Sequence, residues 1–315
     1  MPSTHPDTSQ FSELSTRAIA VQKSPQRAPR RPRKKTLVRL LLALSPALLV
    51  LGVFYFYPML TVLIGALNDP QFGFQNFEWF FGQSVNLSVL WRTIVISLGV
   101  MVICTLIAYP FAYFMTIVSS ATRSLLMLMV LIPFLTSTVV RTFAWVLLLQ
   151  DNGPLGSFVA LFGVDELGIM RTPLAVLIGM AQVLLPFVVL PMYANMSQID
   201  RRLMTAAESL GARRSKSFLT VYLPLSLPGV AAGSLLCFVM SLGFYITPAM
   251  LGSSRETFLS TLIQGQVQGL GQWGQGAVIG FVLLVVTLFI LGLAAFLGRR
   301  FGGSSVSSMV GGSKA

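Results

Sequence analysis

Met204-Thr205-Ala206-Ala207-Glu208-Ser209-Leu210-Gly211 is followed by the basic run Arg213-Arg214-Ser215-Lys216 and then by Val221-Tyr222-Leu223-Pro224. The stretch is a polar loop, roughly 197–228, between two long apolar segments. Its punctuation predicts a folded object. A short helix ending at Gly211 is expected, because glycine adopts the left-handed conformation that closes helices. Ala206 and Ala207 on that helix are small surfaces that let another protein approach closely. The chain then reverses into a second short helix carrying Arg213, Arg214 and Lys216. Leu223-Pro224 and Pro228 are expected to break the chain before the next apolar segment. The product is a compact helical knob, with Glu208 as its only acid.

The surroundings of the knob say where it projects from. The chain is 54% hydrophobic and only 10% charged, whereas soluble domains carry about 25% charged residues. Six segments, near 38–67, 93–118, 123–149, 173–196, 229–251 and 276–298, are long and apolar enough to cross a bilayer, which takes about 20 residues each. An all-α integral membrane protein is the expected fold class, with one six-helix domain over 37–300. Prolines inside the segments (Pro46, Pro58, Pro110, Pro133, Pro186, Pro191) are compatible with spans, because neighbouring helices satisfy the freed backbone groups.

Residues 1–36, rich in Ser, Thr, Pro and Arg, lack the apolar content to fold alone and read as a disordered basic tail. A cleaved signal peptide does not fit, since the charged lead is too long and no small-residue cleavage site follows a short apolar core. Residues 301–315 read as a second short tail. The net charge of +12 would suggest nucleic acid if it lay on one soluble face. It lies instead in the tails and the knob loop, as a topology signal beside anionic lipid. Nine Lys/Arg precede residue 40, and Arg123, the knob and the C-terminal tail hold more. The alternate loops hold Asp69, Glu78, Asp151, Asp165, Glu166 and Glu256. The bias places both termini and the knob in the cytoplasm of a bacterial cell.

Ala206, Ala207, Gly211, Leu223 and Pro224 fall in register with the "EAA" loop of the membrane subunits of ATP-binding-cassette (ABC) importers, and the chain resembles that family. Thr205 stands where the family has Glu, and Val221 where it has Ile. The resemblance implies a six-helix transmembrane domain of a type I importer, lying in the inner membrane. It implies that Thr205, Ala206, Ala207, Glu208, Gly211, Leu223 and Pro224 dock in a groove on an ATPase subunit and transmit its closure. It implies as partners a second homologous permease, two cytoplasmic ATPase subunits and a periplasmic binding protein. The bland alternative for the knob is an amphipathic helix lying on lipid headgroups. Within the knob, Glu208 either supplies the charge absent at Thr205, pairs with Arg213 or Arg214, or completes a capping box with Thr205.

Val140-Arg141-Thr142-Phe143-Ala144-Trp145, Leu149-Gln150-Asp151-Asn152-Gly153 and Phe244-Tyr245-Ile246-Thr247-Pro248-Ala249-Met250-Leu251-Gly252 are similar to segments of the spermidine/putrescine branch of these permeases. That likeness points to a polyamine as solute, with opines and aminophosphonates as the alternatives the branch also contains. Arg141 is the one clear charge within a membrane segment, Arg39 and Arg123 standing at segment ends. It reads either as a gate or packing charge, or as an anchor that snorkels or pairs with Asp151. Trp145 and Tyr245 read either as faces for a passing cation or as interface markers. Arg141, Trp145 and Tyr245 are the candidate pathway residues. Gly229-x-x-x-Gly233 and Gly276-x-x-x-Gly280 allow close helix approach, within the chain or to a partner. Gln264 to Gln272 reads as a flexible outer loop.

No phosphate-binding G-x-x-x-x-G-K-[ST] loop occurs, so ATP is expected to bind elsewhere. The apolar segments hold no Asp or Glu, which argues against a proton- or sodium-coupled carrier or a channel working without an ATPase. His5 is the only histidine, and Cys104 and Cys237 lie inside apolar segments. A membrane-embedded enzyme, a metal site, a disulfide framework and a bound cofactor are therefore not expected. Nucleic acid is not expected as a partner.

Overall fold

The computed structural model of the chain describes residues 44–69, 71–160, 162–163 and 168–310, and for residue 254 and residues 297–310 it describes the backbone alone. The basic tail read at 1–36 and the residues after 310 lie outside the described residues. The described residues are helical, without strands. The chain divides into two compact units, Met1–Met59 and Leu60–Ala315.

Helix α1, Leu44–Asn68, is the first span. A π turn over Gly52–Phe56 precedes Pro58 within it. Along residues 44–59 the large apolar side chains, Leu49, Phe54 and Tyr57 among them, are exposed, as suits a helix facing hydrocarbon.

The second unit continues with α2, Gln75–Gly82, and α3, Ser84–Ile117. Then come α4, Ser120–Leu135, α5, Thr138–Leu149, and the short α6, Pro154–Ala160. Helix α7, Pro173–Met196, follows, then α8, Arg202–Ser209, and α9, Arg214–Leu242. The chain ends with α10, Ile246–Leu251, α11, Leu259–Gln264, and α12, Trp273–Val310. Among the described residues five helices are long and apolar enough to cross a membrane, and α4 with α5–α6 makes a sixth crossing if that bent pair counts as one.

The core is the packing of α3, α7 and α9, with Val100, Cys104, Met180, Leu184, Val188, Met192 and Cys237 fully buried in it. Lipid tails are as apolar as leucine, so close contact and not water exclusion holds such helices together. Gly229 and Gly233 make that contact possible. A Cβ on Gly229 would lie 2.6 Å from Asn195 Cβ, and one on Gly233 would lie 2.8 Å from the Val188 carbonyl oxygen. This glycine pair therefore serves α7–α9 contact inside the chain. A second cluster joins Ala66, Phe80, Val89, Leu259 and Val278. There the Thr93 hydroxyl donates to the Val89 carbonyl at 2.8 Å and accepts from the Leu259 N–H at 3.1 Å.

Four expectations are corrected. The third apolar segment is not one helix but two, bent by 95°. Pro133 lacks an N–H and weakens the end of α4, and the Thr136 hydroxyl takes over the Pro133 carbonyl at 2.7 Å. The fifth span does not begin after a break at Leu223-Pro224 and Pro228. It runs unbroken from Arg214 to Leu242, because a π turn over Phe218–Tyr222 widens the helix just before Pro224. It also stops at Leu242, and Ile246–Leu251 is a separate helix. The stretch from Gln264 is not a loose loop: α11 continues as a π turn over Gly265–Gly269, and Gly276 packs against the Val267 side chain.

Candidate functional site

The knob is built as a closed turn of two helices. Helix α8 starts at Arg202, whose N–H donates to Asp200 Oδ1 at 2.9 Å. Arg201 stands at the cap without a side-chain capping bond, and Thr205 lies inside the helix. The capping box of Thr205 with Glu208 is thus absent. A carboxylate one residue ahead of the cap serves the helix start, and the sequence reading had overlooked it.

The far end closes as a Schellman motif. The Ala212 N–H donates to the Ala207 carbonyl at 3.1 Å, and the Gly211 N–H donates to the Glu208 carbonyl at 2.9 Å. Gly211 has φ +90°, the left-handed region that glycine alone enters without cost. The turn therefore follows from Gly211 as expected.

What the turn presents is small and apolar. Thr205, Ala206 and Gly211 are exposed and Ala207 and Glu208 half-buried. Leu210 at the tip is 90% exposed, and Leu203 is exposed on the same helix. Neither leucine had been singled out, although an apolar residue beside a helix-ending glycine is a readable signal. Glu208 forms no ion pair among the described residues. It lines a cleft of about 660 Å³ whose wall also includes Arg201, Arg214, Tyr113 and Phe218.

The base of the knob is rigid. Buried Ser217 donates its hydroxyl to the Met204 carbonyl at 3.0 Å, joining α8 to the start of α9. Below it Phe218 stacks on Tyr222 with centroids 5.4 Å apart, and Tyr113 meets both edge-on. Such aromatic pairs add about 0.5–1.5 kcal/mol each beyond area burial. Leu223 and Pro224 sit in the span one turn deeper, Leu223 half-buried and Pro224 exposed. They lie at the root of the knob and not at its tip.

The three candidate pathway residues fall on two helices, Arg141 and Trp145 on α5 and Tyr245 at the cap of α10. Arg141 lies in the first turn of α5, just past the 95° bend. Its Nη2 donates to Thr138 Oγ1 at 3.4 Å, while its Nε and Nη1 are buried without a partner. It does not pair with Asp151, whose Oδ1 accepts from the Gly168 N–H. Trp145, one turn on, packs against the main core. Tyr245 caps α10 and lines a cavity of about 710 Å³ together with Ser260, Gln264, Gln268 and Trp273. Helices α5 and α10 do touch, through Thr142 Oγ1 and Thr247 Oγ1 at 3.1 Å. Cys104 and Cys237 are free and buried, and no metal-binding cluster exists among the described residues.

Comparison with known proteins gives a consistent answer. The profile of the family "Binding-protein-dependent transport system inner membrane component" matches residues 105–303. The spermidine/putrescine transport system permease protein PotB of Escherichia coli (strain K12) is 31% identical over 200 residues, covering 63% of this chain and 73% of that protein. Its counterpart in Salmonella typhimurium (strain SL1344) is 32% identical over 185 residues, covering 58% of this chain. The match spans 64% of that relative's length. The inner membrane ABC transporter permease protein YdcU of Escherichia coli is 28% identical over 277 residues, covering 81% of this chain and 87% of YdcU. Among solved structures, a chain of a bacterial alginate ABC transporter in complex with an alginate-bound periplasmic protein superposes with a TM-score of 0.70. It has 19% identity and covers 85% of this chain and 96% of that one, a likeness of fold.

Proposed function

Because the chain belongs to the binding-protein-dependent transport system inner membrane components, the six-helix permeases of type I ABC importers, we propose that it carries a polyamine such as putrescine or spermidine into the cytoplasm. It is a multi-pass inner membrane protein. Both termini and the knob face the cytoplasm in this reading, in accord with the charge bias of the loops. A separate ATPase powers it, a second permease completes the pathway, and a periplasmic protein delivers the solute. Resemblance to the PotB permeases supports the solute.

One observation supports the coupling role: a Schellman-closed helix carries a 90% exposed leucine and two alanines while Ser217 ties its base to a span. The exposed leucine and the small alanines beside it offer an apolar surface that a groove on another protein can cover. When the ATPase subunits close, the tied knob moves with them. Because α8 is fixed to the start of α9, that motion enters the α3–α7–α9 core directly. No covalent step occurs on this chain, and Thr205, Ala206, Ala207 and Glu208 contribute surface and charge to the docked contact.

A second reading, an importer of an anionic solute such as an opine or aminophosphonate, has one observation in its favour. The guanidinium of Arg141, whose Nε and Nη1 have no partner, would repel a polyamine and attract a carboxylate or phosphonate. Proteoliposomes containing the chain with its partner permease, ATPase and binding protein decide between them. ATP-dependent uptake of labelled putrescine or spermidine is expected. Uptake of an opine or aminophosphonate in place of both would install the second reading, and uptake without ATPase would remove the importer reading.

A further inference from the structure

A polar cavity of about 200 Å³ opens where the knob meets the membrane boundary, and its wall includes Arg123, Arg201, Thr116, Tyr193 and Ser197. Four helix ends converge there: the C-termini of α3 and α7 and the N-termini of α4 and α8. Ends of spans lie at headgroup depth. The cavity is smaller than the roughly 300–1,000 Å³ of drug-sized ligand sites. It suits one compact polar group.

Its two arginines are aimed and have no acid. Arg123 Nε donates to the Met115 carbonyl at 3.2 Å and its Nη2 to the Val118 carbonyl at 3.4 Å. Arg201 Nη2 donates to Thr116 Oγ1 at 2.9 Å, and its Cζ lies 6.0 Å from the Tyr113 ring centroid. These bonds hold both guanidiniums in place while leaving further N–H groups for an anion. Neither arginine forms an ion pair among the described residues, and no acid lines the cavity. Arg123 also sits in the first turn of α4, beginning after Ser119. A cation there opposes the positive end of the helix dipole. An anion bound between the arginines would offset that cost, and the Tyr193 hydroxyl in the same wall can donate to it, while those of Thr116 and Ser197 already donate to the Tyr113 and Ala194 carbonyls.

We propose that Arg123 and Arg201 bind a phosphate oxyanion, supplied by the headgroup of an anionic phospholipid. Guanidinium forks match phosphate geometry, and basic pockets between spans at a membrane face take such headgroups. Arg201 is also the residue that precedes the knob helix. Occupancy therefore braces the knob against the bilayer. The inference concerns a site separate from the solute pathway, and it stands whichever solute the chain carries.

Native mass spectrometry of the detergent-purified full chain, with the partners that co-purify, tests it. Phosphatidylglycerol and phosphatidylethanolamine are added at equal concentrations. Wild type is expected to prefer phosphatidylglycerol by about 25-fold, about fivefold for each arginine. Arg123→Gln with Arg201→Gln abolishes the preference, and Arg123→Lys with Arg201→Lys keeps most of it. If the double Gln variant does not fold, Arg201→Gln alone, at an exposed position, is expected to reduce the preference about fivefold. A second arm adds inorganic phosphate and follows thermal unfolding. Stabilisation of wild type but not of the Gln variant assigns free phosphate as a source as well. A Gln variant that keeps its preference overturns the proposal. So does a wild type with neither lipid preference nor a phosphate response.

Discussion

The Ser217 hydroxyl donates to the Met204 carbonyl across 3.0 Å, and this single bond links the knob helix to the foot of the fifth span. Ser217 is fully buried. Removing the donor leaves the Met204 carbonyl without that bond, at a cost of about 1–3 kcal/mol. Ser217→Ala is expected to leave insertion intact, lower the unfolding midpoint, and slow ATP-driven uptake more than it weakens ATPase binding. Co-purification of the ATPase alongside uptake rates checks this. Equal losses in both would place the defect in docking and not in transmission.

Gly211→Val should be worse. At φ +90° a β-branched residue is an outlier, and left-handed geometry costs an L-residue roughly 1–2 kcal/mol before branching is counted. The Schellman bonds of Gly211 and Ala212 are expected to be lost. Membrane insertion persists while uptake collapses. Gly211→Asn, whose side chain tolerates the left-handed region, is expected to retain much of the activity. Normal uptake by the Val variant would end the docking reading.

Two acids bear on the knob, Asp200 just ahead of its first helix and Glu208 within it. Asp200 supports the helix start, so Asp200→Ala is expected to destabilise the knob by about 1 kcal/mol, visible as faster proteolysis of residues 197–212. Glu208 makes no such bond, so Glu208→Gln is expected to leave proteolysis unchanged and uptake nearly so. Glu208→Lys, which adds a cation beside Arg201 and Arg214, is expected to be severe. A Gln variant as defective as the Lys variant would mean that the carboxylate charge itself docks.

Close helix contact gives a fourth test. Gly233→Leu forces side-chain atoms against the Val188 carbonyl, which is backbone and cannot yield. A loss of about 1–3 kcal/mol is expected, read as a lower unfolding midpoint in detergent and a poorer yield of assembled complex. Gly280→Ala, where nothing lies within 4 Å of the added Cβ, is the matched control and should be silent.

The orientation of the chain is tested by labelling. Single cysteines at Ser215 and Gln268, both exposed positions, are expected to react from opposite sides. Gln268 should label in intact cells from the periplasm, and Ser215 only after the inner membrane is opened. The reverse pattern overturns the charge-based topology.

Much of this was legible in the sequence, for definite reasons. Spans announce themselves because some 20 apolar residues have few other uses, and Gly211 announces its turn because few residues tolerate that backbone. The positions that were missed depend on partners far along the chain. Nothing local to Ser217 says that it reaches Met204. The continuous helix through Leu223-Pro224 depends on a π turn, which has no residue code. Gln264 to Gly269 looks like a loop by composition, yet the packing of Gly276 on Val267 keeps it helical. Arg141 and Asp151 suggested a pair by charge and spacing, whereas the Asp151 carboxylate turns to the Gly168 N–H.

The wide turn at Phe218–Tyr222 has a further consequence. A π turn holds one residue more than an α turn, and each residue of an α-helix accounts for about 100° of rotation and 1.5 Å of rise. The compass bearing of Leu210 relative to the core face of the fifth span is therefore written in chain length and not in residue identity. Substitutions in 218–222 can loosen that bearing but cannot reset it. Deleting one residue from the wide turn would restore regular pitch with the bearing of the knob nearly kept, whereas deleting one from the regular helix below it would swing the knob by about 100°, so the wide turn is where the span holds a residue in reserve.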